Sequence, residues 1–215
     1  MEYVQLVMSL LTDSSRTFEG RFYRTKGLYL RKSLPCTLLP ACFLAGQSDA
    51  ALRTAKTLAA TTMHMLPAKL VPGLSGACGV NLGIIAHASE AEAWQVARWR
   101  FPEDRRGQRL LTFSMSNTDS EWKKRLAVAA EKEADAEPRY WMGPFKNFQA
   151  DNPYFVGGHD RVASLVTRCV QASVTAFILD LPPEEEEFEN TRIVFSKAED
   201  ILQRTSSTLP LSELG

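Results

Sequence analysis

The chain has 215 residues, of which 45% are hydrophobic and 23% are charged, a balance typical of a globular protein with a buried core. Lys and Arg together number 25, as do Asp and Glu, so the formal net charge of zero excludes a protein that collects nucleic acid or anionic membrane through its overall field. No apolar run reaches the roughly 18 residues of a membrane span, and the N-terminal sequence lacks the basic start of a signal peptide. We therefore expect a soluble, cytoplasmic protein.

The N-terminal region predicts a helix followed by a short β-excursion. The helix is indicated by apolar residues at i, i+3, i+4 and i+7, namely Val4, Val7, Met8 and Leu11. Residues 18–35 then mix aromatic and basic side chains around Gly20 and Gly27, which suits strands better than a helix.

Three β-α steps follow in the middle of the chain. A short apolar run at 40–46 predicts a strand, and Ser48 with Asp49 opens a helix that ends near residue 58. A second strand is predicted at 61–66, before a segment too rich in Pro and Gly for a long helix. A third is predicted at 79–86, and Ser89 with Glu92 forms a capping box that opens the next helix.

The C-terminal half begins with a predicted helical insertion at residues 103–137, followed by an irregular segment at 138–153 that is either mobile or covers a site. A helical face starts after Gly158, and the run at 174–181 predicts a fourth strand. A last helix follows the acidic run 184–187, and residues 201–215 are expected to form a disordered tail.

The four cysteines bear on the kind of site to expect. Cys36, Cys42, Cys78 and Cys169 form no C-x-x-C pair and are not grouped with the three histidines at the spacing of metal ligands. The pattern predicts reduced, mostly buried thiols and no metal site.

Four short strands with continuous apolar runs, separated by helices, indicate an α/β protein with parallel strands. A closed TIM barrel needs eight strands. A half barrel of that type and a small open sheet both fit the pattern.

Several segments, in this order and spacing, resemble the second half of luciferase-like, flavin-dependent monooxygenases of the alkanesulfonate monooxygenase type. They are FEGRFY at 18–23, FLAGQSDAA at 43–51, GVNLGII with EAEAW at 79–94, YWMG at 140–143, VGGHDRVA from 156 and TAFILDLPP from 175. The resemblance implies a TIM barrel that binds reduced FMN, of which residues 1–200 form the C-terminal half with strands five to eight. It also implies that the first four strands lie outside this chain.

The resemblance further implies where the cofactor phosphate binds. In the family the flavin phosphate sits at a glycine-serine turn after the fifth strand, which Gly46, Gln47 and Ser48 match. Glycine allows close backbone approach, and a helix N-terminus favours an anion. The alternative is that Ser48 or Asp49 serves only as an N-cap.

At the positions where alkanesulfonate monooxygenases carry an arginine and a histidine on the seventh strand, this chain has Asn81 and Gly83. Neither residue replaces the lost charge or the exchangeable proton. Phe148 stands at the position of the arginine in the family's mobile loop, with Lys146 nearby as a substitute point charge.

The tyrosine and histidine that follow the family's eighth strand correspond to Pro182 and Glu184, at the start of an acidic run that would repel a sulfonate. These differences make an alkanesulfonate substrate an unfavourable prediction. The acidic run also has a structural explanation, because carboxylates in the first turn of a helix complement its dipole. His64, in a predicted strand, is interpreted as a structural residue. His87 and His159 lie at loop and helix-start positions, and His159 is interpreted as a capping-region residue.

Three hypotheses for function follow from the resemblance. The first is a monooxygenase subunit or fragment that uses reduced FMN from a separate reductase and O₂, with the site completed by another chain or by a homo-oligomer. The second is a non-catalytic relative that keeps the shape for flavin binding or subunit association. The third is a truncated product whose open barrel edge is an aggregation hazard.

Overall fold

A computed structural model describes residues 1–12, 16–46, 48–64, 78–132 and 140–207. The chain divides into two compact units, Met1–Met63 and His64–Gly215. Among the described residues, no helix combines the length and the apolar character that crossing a membrane would require.

Within its described residues, the first unit contains two helices, a 3₁₀ turn and four short strands. They are α1 Glu2–Thr12, β1 Arg16–Glu19, β2 Arg24–Leu28, the turn Cys36–Leu38, β3 Phe43–Ala45, α2 Asp49–Leu58 and β4 Thr61–His64. β1 and β2 pair antiparallel as a hairpin, and β3 and β4 pair in parallel with Phe43 opposite Thr61. The predicted helix is present as α1, and strands occupy the first part of the excursion predicted over 18–35, up to Leu28.

Two local contacts explain why the first unit folds this way. The Glu2 carboxylate accepts hydrogen bonds of 2.9 Å from the backbone N–H groups of both Arg21 and Phe22, which ties α1 to the hairpin turn. Leu6 and Leu10 are the buried residues of α1. The stripe predicted at Val4, Val7, Met8 and Leu11 is only half-buried, because the helix face that packs inward is rotated toward Leu6 and Leu10.

The second unit contains three strands and six helices among its described residues. They are β5 Cys78–His87, α3 Glu90–Arg100, α4 Arg105–Ser116, α5 Glu121–Glu131, α6 Gly143–Lys146, β6 Tyr154–Gly158, α7 His159–Gln171, β7 Val174–Leu179 and α8 Glu185–Ser207. β5 pairs in parallel with both other strands, through Cys78–Leu82 to β7 and through Gly83–His87 to β6.

Helices cover both faces of β5. Val80, Leu82, Ile84 and Ala86 belong to the larger core, which also holds residues of α5, α7 and α8 such as Leu126, Val166 and Val194. Ile85 belongs to a second core with Tyr154, Val156 and two alanines of α3. This coverage explains the continuous apolar run of β5, since a strand buried on both faces does not alternate.

The predicted parallel α/β arrangement is confirmed, and α4 and α5 lie within the predicted helical insertion 103–137, of which residues 133–137 lie outside the described residues. Ser89 caps α3 as predicted, since its hydroxyl accepts from the Glu92 N–H at 3.2 Å, which is one half of a capping box. One strand was missed: β6 has only five residues between Pro153 and the start of α7. The expected tail is wrong at its beginning, because α8 continues to Ser207 and Ile201 packs against the larger core. The rest of that tail, 208–215, lies outside the described residues.

Candidate active site at the carboxyl ends of the strands

The carboxyl ends of the three parallel strands bring polar groups together in the second unit. His87 is the last residue of β5 and lies opposite Gly158, the last residue of β6. Asp180 directly follows β7, and its N–H donates to the carbonyl of Leu82 at 3.3 Å. Ligands of parallel α/β sheets bind outside the carboxyl ends of the strands, so these residues mark the candidate site.

The side chains of β5 at odd-numbered positions share one face of the strand, because side chains alternate with a period of two. Asn81, Gly83 and His87 lie on this face with Ile85 between them. The side-chain oxygen of Asn81 and Nε2 of His87 are buried, and neither has a hydrogen-bond partner within the described ranges. Two unpaired buried polar atoms on one strand are unusual and point to a ligand or water that completes them.

Gly83 makes room for the ring of Tyr154. A β-carbon at Gly83 would lie 2.1 Å from Cε1 of Tyr154, far inside van der Waals contact. The ring is 1% exposed and packs edge-on against Phe101, with 5.0 Å between the ring centroids. This chain therefore places the phenol ring of Tyr154, from a different strand, over the backbone of β5 at Gly83.

The Tyr154 hydroxyl donates a short hydrogen bond to the carboxylate of Asp180. Burial, followed by this hydrogen bond and the negative charge of Asp180, raises the pKa of Tyr154 well above its usual range. The phenol is therefore a protonated donor at neutral pH. A second buried pair lies close by, with Nη1 of Arg100 2.6 Å from Oε2 of Glu187.

The side-chain amide of Asn190 lies between the imidazole rings of His159 and His87. Nε2 of His159 lies 2.8 Å from Oδ1 of Asn190, and Nδ2 of Asn190 lies 3.4 Å from Nδ1 of His87. Nδ1 of His87 also lies 3.9 Å from Oε1 of Glu92. In the tautomer whose Nδ1 accepts from the Asn190 amide, the unpaired Nε2 of His87 is a buried hydrogen-bond donor.

The predicted phosphate turn lies in the first unit. Gly46 has φ 124°, a conformation that favours glycine, and Gln47 lies outside the described residues. Ser48 is the N-cap of α2, and its hydroxyl accepts from the N–H of Ala51 at 3.2 Å. The capping role of Ser48 is therefore observed, and a phosphate role of this turn stays a prediction.

The two predicted lid residues point to different neighbours. Lys146, at the end of α6, lines a cleft of about 530 Å³ together with Arg98, Phe101 and Trp141. Phe148 has φ 58° and is 40% exposed, and its ring centroid lies 5.5 Å from Nζ of Lys123 on α5. A role for either residue over a ligand stays a prediction.

The acidic run begins α8 as its structural interpretation requires, with three glutamates in the first turn. Pro182 is half-buried and Glu184 is exposed. Glu187 is not merely solvated, since it forms the buried pair with Arg100. The run therefore stabilises the helix start and at the same time anchors α8 to α3.

The cysteines and the remaining histidine take no part in this site. Cys42, Cys78 and Cys169 are free thiols, and burial raises the pKa of Cys169 to about 12. Partial burial of His64, at the end of β4, lowers its pKa.

Tyr154, Asp180 and Asn190 were not identified from the sequence. Asp180 carried a usable signal, because a lone carboxylate directly after a buried strand lies at the carboxyl edge of a parallel sheet. Asn190 carried none, since it lies within a glutamate-rich helix. The pairing of Tyr154 with Gly83 depends on a strand that the pattern did not reveal.

Comparison with known proteins supports a family assignment. No family model matches the chain. It is 30% identical over 198 residues to BtrO of Niallia circulans, a 4-(gamma-L-glutamylamino)butanoyl-[BtrI acyl-carrier protein] monooxygenase, and this match covers 87% of the chain and 58% of BtrO. This likeness supports the luciferase-like monooxygenase family for this chain. The cofactors of this family are of the flavin type.

Solved structures of luciferase-like proteins share the fold at low sequence identity. EDTA monooxygenase from Chelativorans sp. BNC1 matches 97% of this chain and 61% of its own with a TM-score of 0.59 at 15% identity. The coenzyme F420 dependent tetrahydromethanopterin reductase from Methanopyrus kandleri matches 92% of this chain and 61% of its own with a TM-score of 0.52 at 13% identity. These matches confirm the predicted α/β, partial-barrel class, although the described strands do not show a closed barrel.

The chain spans about three fifths of the length of these luciferase-like proteins.

Proposed function

We propose that this chain is a subunit or fragment of a monooxygenase that uses reduced FMN and O₂. The observation that carries the proposal is the 30% identity to a monooxygenase over 87% of the chain. A likeness of this extent at the sequence level supports a shared reaction type more strongly than a shared fold does.

The chemistry of several described residues fits the phosphate and polar groups of a flavin. The first turn of α2 follows Gly46, and backbone N–H groups at a helix N-terminus suit a phosphate, although Ser48 already accepts from the Ala51 N–H. The Asp49 side chain in the same turn does not suit a phosphate. The orphaned Asn81 oxygen on β5 suits a donor N–H, and the Nε2–H of His87 suits an acceptor. Bound flavin would supply the oxygen activation, and the turn before α2 would hold its phosphate. Asn81 and His87 belong to the second unit, where they would contact the polar atoms of a ligand.

An alkanesulfonate is a poor substrate for this site. Positions 81 and 83 offer an amide and no side chain, and the ring of Tyr154 fills the space over Gly83. Glu184 is exposed, and at the position that the resemblance assigns to it its negative charge would repel a sulfonate. The name of BtrO instead suggests an acyl group attached to a carrier protein, and we propose that substrate class here.

Several features of the proposal concern the rest of the enzyme. A separate reductase would deliver reduced FMN, and another chain or a homo-oligomer would complete the site. We propose a cytoplasmic location, and a single C-terminal half-domain over residues 1–200.

The second candidate is a non-catalytic relative that binds flavin or associates with a catalytic subunit. It is favoured by one observation: the two positions that carry catalytic side chains in alkanesulfonate monooxygenases hold Asn81 and Gly83, and a buried phenol occupies the space. A protein can lose such side chains and keep its fold.

Turnover decides between the two candidates. The chain is co-expressed with a neighbouring reading frame that encodes the missing part of the barrel, and O₂ consumption and substrate oxidation are followed with FMN, NADH and a flavin reductase. Oxidation that needs both chains and the reductase supports the monooxygenase and excludes the non-catalytic candidate. Flavin binding without oxidation by any combination would assign the chain to the non-catalytic class.

A further inference from the structure

The exposed face of α4 combines positive charge with apolar side chains. It consists of Arg105, Arg106, Arg109, Leu110 and Phe113, and all five are exposed. Phe113 is 69% exposed and Leu110 is 45% exposed. Neighbouring exposed apolar side chains of this size often mark a site of interaction with a partner.

The charges of this α4 face are not explained by the stability of the helix. α4 contains three arginines and no acidic residue. Arg105 and Arg106 occupy the first turn, where the positive end of the helix dipole disfavours cations. None of the three arginines pairs with a carboxylate in the part of the chain that the structure describes. Their charge is therefore available to a partner of opposite sign.

The α4 face lies next to the cleft that Lys146 lines. Gln108 lines that cleft and also a second one of about 490 Å³, which is bordered by Arg105 and Arg109. From the first cleft, Phe101 contacts Trp141 with 6.1 Å between ring centroids and Tyr154 with 5.0 Å. Contacting aromatic rings therefore connect the cleft beside α4 with Tyr154, whose ring lies over Gly83.

We propose that the α4 face is the docking surface for an acidic acyl carrier protein that presents the substrate. Carrier proteins expose acidic helices and attach the acyl group to a phosphopantetheine arm, so arginines would meet the carboxylates and Phe113 would meet the apolar side of a carrier helix. Aromatic residues and arginine are the types that dominate binding energy at interfaces. This inference rests on the proposed function, because it names the partner that delivers the substrate.

The test measures binding of the whole chain to the BtrI acyl-carrier protein in its phosphopantetheinylated form, at low and at high ionic strength. The variant R106E/R109E should weaken binding by at least about tenfold at low salt, since reversal of charges at an interface removes attraction and adds repulsion. The variant F113S should weaken it by about tenfold through lost apolar contact. The control R53E/K56E makes the same change of net charge on the exposed surface of α2 and should leave the affinity within about twofold.

Melting temperature and FMN binding are measured on the same variants to separate this proposal from the proposed function. Weakened carrier binding with unchanged melting and flavin binding supports the docking surface. No saturable carrier binding by the wild-type chain, or equal losses in R53E/K56E and R106E/R109E, overturns it. If F113S instead abolishes self-association while the carrier does not bind, the face belongs to a second copy and the carrier proposal is wrong. Carrier binding without flavin binding would leave the surface standing and contradict the flavin enzyme.

Discussion

The contact between Gly83 and Tyr154 predicts that one added methyl group at position 83 strongly lowers the free energy of unfolding, and that truncation of Tyr154 relieves this effect. In Gly83→Ala the new β-carbon would lie 2.1, 2.3 and 2.4 Å from three atoms of the Tyr154 ring, which must therefore withdraw by about 1.3 Å to reach ordinary contact. The ring is fully buried, packs on Phe101 and is hydrogen-bonded to Asp180. Overpacking of a core together with a weakened hydrogen bond should cost about 2 to 4 kcal/mol of unfolding free energy.

A double-mutant cycle isolates this contact. Tyr154→Ala alone should cost about 3 to 5 kcal/mol, as expected for truncation of a buried aromatic residue. In that background the methyl group at position 83 has space, and Gly83→Ala should cost less than about 1 kcal/mol. Urea denaturation followed by tryptophan fluorescence measures all four proteins, with unchanged slopes as the control for two-state unfolding. Additive effects of the two substitutions would show that Tyr154 does not lie over Gly83, and would refute this description of the site.

Three further substitutions test other contacts of the molecule. Tyr154→Phe should lower the free energy of unfolding by about 1 to 3 kcal/mol at neutral pH. Because the folded pKa of Tyr154 is raised, ionisation of this residue should lower the unfolding free energy of the wild type by about 1.4 kcal/mol per pH unit above the unfolded tyrosine pKa of about 10. Tyr154→Phe should lack this loss when both proteins are denatured at alkaline pH. Asn190→Ala should cost about 1 to 3 kcal/mol because it removes the acceptor for His159, and an unchanged urea midpoint would contradict the bridging role. Ser48→Ala should cost about 1 kcal/mol as a lost N-cap; FMN affinity unchanged by it would leave Ser48 a cap only.

Most of the secondary structure was predictable because it depends on local signals. Ser48 and Ser89 cap the helices that they were predicted to open, and the continuous apolar run of β5 correctly indicated a strand buried on both faces. The start of α8 followed from its acidic first turn. The burial of Leu6 and Leu10 was not predicted, because which face of a short helix packs inward depends on its tertiary neighbours.

The candidate site was predictable only in part. The family resemblance identified Asn81 and Gly83 as altered positions, and the structure adds what takes the place of the missing side chain. That substitution involves Tyr154, which is 71 positions away along the chain and reaches Gly83 only because β6 pairs with the second half of β5. The link between His87 and His159 similarly depends on Asn190 of α8, which no local pattern marks as functional.

Flavin binding tests the central claim most directly. FMN is titrated into the purified chain while flavin fluorescence and the melting temperature of the protein are recorded. A luciferase-like flavin site predicts saturable quenching together with a melting temperature that rises with the FMN concentration, because a ligand that binds only the folded state stabilises it by mass action. Neither quenching nor a rise in melting temperature at high micromolar FMN would contradict a flavin site in this chain.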